Sequence, residues 1–138
     1  MKLKVCGMKF PQNISEIESL RPDFMGFIFY NKSKRFFDQT NLVLNDKINR
    51  VGVFVNEEIE EIKEKIIKFK LDFVQLHGNE NVDFCKSLKP FVKIIKVFKI
   101  NNTFNFNTTK NFEEVSDYFL FDTKSDLHGG SGTKFDWN

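Results

Sequence analysis

Apolar residues gather in six short runs along the chain, at residues 3–6, 25–29, 51–55, 73–76, 92–97 and 118–121, whose starts lie about 20 to 26 residues apart. Each run is strand-sized and rich in Val, Ile, Leu or Phe. Between them the pattern changes period. Over residues 57–69, Ile59, Ile62, Ile66 and Phe69 fall on one helical face, and Asn56 stands where an N-cap is expected. Ser15 and Glu18 have the spacing of a capping box and predict the start of another helix. The Asn- and Thr-rich residues 101–111 read as a polar excursion after the fifth strand. Strands alternating with helices at this spacing predict an α/β fold with a parallel sheet built of βα units. Six units make either an open doubly wound sheet or six-eighths of a barrel, and the rhythm does not choose between them.

Strand alternation places polar side chains together. Lys4 and Cys6 share one face of the first strand, Gln75 and His77 one face at the fourth, and Leu120 and Asp122 one face of the sixth. The polar members stand at C-terminal strand ends, where catalytic groups sit in a TIM barrel and ligands bind in open α/β sheets.

The 138 residues are 41% hydrophobic, enough for one ordinary core, so residues 1–138 are expected to form a single domain. The 21 basic and 19 acidic residues leave a formal charge of +2, with the lysines scattered, which argues against nucleic acid as a partner. No apolar run approaches the roughly 20 residues that span a bilayer. The N-terminus enters a strand pattern at once, without a signal-like segment, so a cytoplasmic protein is expected. Cys6 and Cys85, the only cysteines, lie in different contexts and predict neither a disulfide nor a zinc site.

The motifs then fall into an order. Lys4-Val5-Cys6-Gly7-Met8 is followed by Gly26-Phe27-Ile28-Phe29 with Ser33-Lys34-Arg35, and by Val51-Gly52-Val53-Phe54-Val55. Val74-Gln75-Leu76-His77-Gly78, Ile95-Lys96-Val97-Phe98 and Phe121-Asp122-Thr123 come next, with a Gly129-Gly130-Ser131-Gly132 stretch before Phe135-Asp136-Trp137. Along essentially the whole chain this series resembles the phosphoribosylanthranilate isomerases of tryptophan biosynthesis. The resemblance implies a (βα)8 TIM barrel, here with about six βα units.

It also implies an Amadori rearrangement of N-(5-phosphoribosyl)anthranilate to 1-(2-carboxyphenylamino)-1-deoxyribulose 5-phosphate, with no cofactor and no metal. Cys6 matches the family's general base and Asp122 its general acid. A thiol of ordinary acidity is only a few per cent thiolate at neutral pH, so a cysteine base calls for a site that favours the thiolate, and Lys4 is one source of that stabilisation. Arg35 matches the residue that engages the anthranilate carboxylate, a task suited to a planar guanidinium. His77 and Gln75 match positions that line the substrate site. Gly130 and Gly132 match a loop that folds over it, and the stretch lacks the spacing of a phosphate-binding Walker loop. Read without the resemblance, each residue has a plainer role: Cys6 as small strand filling, Asp122 as a loop brace, Arg35 as surface charge.

Complete barrels of this kind need at least about 200 residues. Strands seven and eight, whose loops hold the substrate phosphate in the family, have no counterpart before Asn138. Impaired activity is therefore the expectation for the chain by itself. Two further readings remain: a noncatalytic fragment serving as a structural or interaction module, and another phosphosugar isomerase or synthase on the same barrel. The combination of Cys6, Asp122 and Arg35 argues against the second.

Overall fold

The computed structural model describes residues 1–123. Six strands form one sheet in strict chain order: β1 (Lys4–Cys6), β2 (Phe24–Ile28), β3 (Asn49–Phe54), β4 (Phe73–Leu76), β5 (Lys93–Ile100) and β6 (Tyr118–Thr123). Every neighbouring pair is parallel. An open doubly wound sheet reverses its strand order at a switch point. No such reversal occurs among the described strands, and the array curls as the greater part of a (βα)8 barrel.

Three α-helices cover the outer face: α1 (Pro11–Ser19), α2 (Ile59–Phe69) and α3 (Val82–Leu88). Ile62 and Phe69 of α2 are buried, and Ile59 and Ile66 pack against the same core, as their spacing predicts. Glu60 and Glu61 in its first turn and Lys68 in its last complement the helix dipole. Asn56, however, does not cap it. The helix starts at Ile59, and Asn56 adopts a left-handed conformation (φ 51°) from which its Oδ1 accepts the Asn79 N–H at 2.7 Å. Its side chain is committed to the neighbouring loop. Ser15 likewise lies inside α1 rather than at its start. Pro11, whose fixed φ suits the first helical turn, begins the helix four residues earlier.

Two connections lack an α-helix. Residues 29–48 instead lay buried Phe37, Leu44 and Ile48 against the sheet, and Phe37 meets Phe27, Phe29 and Phe69 ring to ring. Between β5 and β6 there is a 3₁₀ segment, Phe106–Phe112, with no buried residue. The polar excursion expected there is present, but Phe104 and Phe106 pack with Phe98 and Phe121 at its base.

The sheet divides the core in two. Met25, Phe27, Phe54, Val74, Leu76 and Ile94 face the helices, while Phe24, Val51, Phe73, Ile95 and Leu120 fill the concave side. The concave cluster closes the floor of the barrel and leaves the residues nearer the C-terminal strand ends around an open space. Among the described residues, no helix is long and apolar enough to cross a membrane.

Candidate active site

Above the concave apolar cluster lies a cavity of about 250 Å³. Lys4 and Cys6 line it from β1, Gln75 and His77 from β4, and Leu120 and Asp122 from β6. Ile28, Val53 and Val55 supply apolar wall, and Tyr30, Ser33 and Arg35 reach it from the segment after β2. Alternation predicted three pairs of neighbours on three strands, and the curl of the sheet brings all six residues to one space.

Cys6 and Gly26 are partners in the β1–β2 register. The Gly7 and Met8 N–H groups both donate to the Gly26 carbonyl, at 2.9 and 3.1 Å, and so hold the end of β1 against β2. Gly7 has a positive φ of 88°, which few other residues adopt readily. A Cβ at that position would also stand 2.8 Å from Cδ of Arg35, so the bare backbone is the surface over which the guanidinium side chain lies. The Arg35 N–H donates to Ser33 Oγ at 3.2 Å, which shapes the turn that carries it.

On the opposite wall a hydrogen-bonded chain runs from Gln75 through His77 to Asp122. Gln75 Nε2 stands 3.3 Å from His77 Nδ1, and His77 Nε2 stands 3.2 Å from Asp122 Oδ2. An amide N–H donating to Nδ1 leaves the ring proton on Nε2, directed at Asp122 Oδ2. Burial pushes the His77 imidazole below its ordinary value, Asp122 opposes that shift, and the nearby Lys99 charge adds to it. A neutral imidazole with its Nε2–H directed at Asp122 Oδ2 is the arrangement these influences favour.

Cys85, by contrast, is fully buried, and burial pushes its thiol up to about 11. It lies on α3, away from the cavity. Gly130, Gly132 and His128 lie outside the described residues.

Two residues that the sequence reading did not single out stand directly behind this wall. Glu80 and Lys96 are 6% and 3% exposed, and their side chains form an ion pair at 2.9 Å. A signal for it was present in the sequence: Lys96 is a lone charge amid Ile94, Ile95, Val97 and Phe98, and a lysine in such a run needs a partner if it points inward.

A parallel array in chain order, curled around a polar cavity at its C-terminal strand ends, is the architecture of the (βα)-barrel proteins. The model of the family described as "N-(5'phosphoribosyl)anthranilate (PRA) isomerase" matches residues 3–138, and the chain belongs to that family. The N-(5'-phosphoribosyl)anthranilate isomerase of Parabacteroides distasonis is 46% identical over 145 residues, covering all of this chain and 66% of the relative. That of Phocaeicola vulgatus is 44% identical over 139 residues, covering all of this chain and 68% of the relative. The crystal structure of phosphoribosyl anthranilate isomerase from Thermotoga maritima superposes with a TM-score of 0.82 at 33% identity, over 99% of this chain and 68% of that one. A crystal structure of a phosphoribosyl anthranilate isomerase in complex with reduced 1-(o-carboxyphenylamino)-1-deoxyribulose 5-phosphate matches with a TM-score of 0.75 at 30% identity, over 90% of this chain and 66% of that one. The chain thus spans about two thirds of the length of these relatives.

Proposed function

We propose that this chain carries the acid–base half of a phosphoribosylanthranilate isomerase site and catalyses the Amadori rearrangement of N-(5-phosphoribosyl)anthranilate when joined with the remaining third of such a barrel. The observation that carries this reading is the meeting of Cys6, Asp122 and Arg35 around one cavity, in a chain of this family. Asp122, carrying its proton on Oδ1 while Oδ2 accepts the His77 Nε2–H, donates that proton to the ribose ring oxygen as the C1′–O bond opens to an iminium. The Cys6 thiolate then removes the C2′ proton to give an enolamine, which tautomerises to the aminoketose. The two groups stand on opposite strands of the array, β1 and β6, so substrate between them is reached from both sides.

Arg35 sits at the rim on a flexible stem and pairs with the anthranilate carboxylate through two parallel N–H bonds. Ile28, Val53 and Val55 give the aromatic ring an apolar wall. His77 and Gln75 orient Asp122. The chemistry asks for no metal and no redox cofactor. We extend the reading to a single domain at work in the cytoplasm on this small phosphosugar–anthranilate substrate.

The test is loss of phosphoribosylanthranilate fluorescence, followed with the chain by itself and with the complementing C-terminal third of a relative. Turnover in the complemented sample, lost on Cys6→Ala or Asp122→Ala, is the expected result. A folded complex without turnover would point instead to a noncatalytic module.

A further inference from the structure

The geometry points to the buried Glu80–Lys96 ion pair as the positioning device that holds His77, and through it Asp122, in place on the cavity wall. The pair lies on the helix side of the sheet and does not line the cavity. Lys96 pairs in register with Leu76, so its side chain leaves β5 on the same face as Leu76 and opposite to His77.

Every hydrogen-bonding capacity of the ammonium is used within a few ångströms of His77. Lys96 Nζ donates to the Gly78 carbonyl at 3.0 Å, to the Leu76 carbonyl at 3.4 Å and to Glu80 Oε2 at 2.9 Å. The Glu80 carboxylate in turn accepts the Gly78 N–H at 2.9 Å and the Asn56 N–H at 2.8 Å. The carbonyl before His77 and both polar backbone atoms after it are thus bound to one ion pair. The His77 N–H itself donates to the Phe54 carbonyl at 2.9 Å. Gly78 leaves room for this: a Cβ there would collide with Asn56 Oδ1 and stand 2.7 Å from Glu80 Oε1.

A buried ion pair is a poor way to add stability, because desolvation offsets the attraction, and apolar replacements of similar volume are often neutral or better. What this pair supplies is direction. The His77 N–H makes the last bond of the β3–β4 ladder, and residues 78–80 lie past it, where the ladder no longer fixes the backbone. A site that depends on a 3.2 Å contact between His77 and Asp122 needs that backbone held to within a fraction of an ångström. Glu80 and Lys96 are positioning residues in this account and touch no substrate. The consequence for catalysis rests on the isomerase reading, but the structural claim does not.

The experiment reads His77 directly. In the full chain labelled with ¹⁵N-histidine, the ring nitrogens of His77, assigned by His77→Asn, are recorded in the unaltered protein and in a Glu80→Leu/Lys96→Met double variant that removes both charges together. The unaltered ring is expected as one tautomer with the proton on Nε2. The double variant, folded by circular dichroism, is expected to show the two ring shifts moving toward each other as the tautomers mix. With the complementing fragment present, it is expected to lose kcat at least tenfold with KM within about threefold. A folded double variant with unchanged ring shifts overturns the proposal, whatever the isomerase assay gives.

Amide exchange of the unaltered chain supplies a second measurement that needs no variant. The Gly78 and Asn56 amides, though in loops, are expected to exchange as slowly as those of β4. Exchange within about tenfold of an unstructured peptide would overturn the proposal as well. If ring shifts and exchange behave as expected but no isomerase turnover occurs, the functional reading fails and the positioning claim stands.

Discussion

Gly26 and Cys6 face each other across the β1–β2 pairing so closely that a Cβ on residue 26 would stand 2.6 Å from the Cys6 sulfur and 3.1 Å from Lys4 Nζ. The glycine is therefore part of the shape of the thiol's site, and its own backbone dihedrals are not the reason for it. Gly26→Ala is expected to leave the sheet intact at a cost of about 1–3 kcal/mol, the usual range for overpacking. It should displace the thiol and lower kcat/KM at least tenfold in the complemented enzyme. Urea unfolding measures the first effect and the fluorescence assay the second; full activity would show that the sulfur has room to move.

The two cysteines should differ sharply toward a thiol reagent. Cys6 is partly exposed on the cavity wall, whereas Cys85 is fully buried with its thiol raised to about 11. Reactivity follows thiolate fraction and access, and Cys85 has little of either at neutral pH. One thiol per chain is expected to react with Ellman's reagent at pH 8 in the native state and two in denaturant, with the native reaction removed by Cys6→Ala. Fast reaction of Cys85 in the native chain would contradict its burial.

Stability should fall with acid in a way that His77 accounts for. Its imidazole binds a proton more weakly in the folded chain than in the unfolded one, chiefly because burial disfavours the charge. Below its ordinary value of about 6.5 the unfolded chain takes up the proton first, so the contribution is present above that pH and lost as pH falls. It levels off once the folded chain is protonated too. The drop in urea midpoint between pH 8 and pH 5.5 is expected to be smaller in His77→Asn than in the unaltered chain. Equal drops would mean that the Asp122 contact cancels the effect of burial, and a larger drop in His77→Asn that it outweighs burial.

Arg35→Lys keeps the charge and loses the planar fork. If Arg35 holds a carboxylate through two parallel bonds, KM should rise about 10- to 100-fold, equivalent to roughly 1.4–2.7 kcal/mol, with kcat changed much less. Saturation kinetics of the complemented enzyme decide this. An unchanged KM would reduce Arg35 to a solvated charge at the rim.

Much of this protein is legible in its sequence, for reasons that are local. Strand positions, the buried face of α2 and the sharing of a face by Lys4 and Cys6 or by Gln75 and His77 follow from periodicities of 3.6 and 2.0, which the chain carries with it wherever it folds. The caps were less legible. Asn56 and Ser15 have the right chemistry for helix starts, but Asn56 is recruited by a loop 23 residues away and Ser15 is overtaken by Pro11. Local propensity proposes such positions, and tertiary partners decide among them.

The sequence by itself determined that there would be six parallel βα-type units and which residues of each strand would point the same way. Only the tertiary structure decided that β1, β4 and β6 converge, because it is the curl of the sheet that brings their ends to one cavity. It alone decided that Glu80 and Lys96, 16 residues apart, meet beneath His77. The physical reason is the same in both cases: a side chain's direction is set by its own backbone, but its partner is set by how separate strands pack, and no local pattern contains that distance.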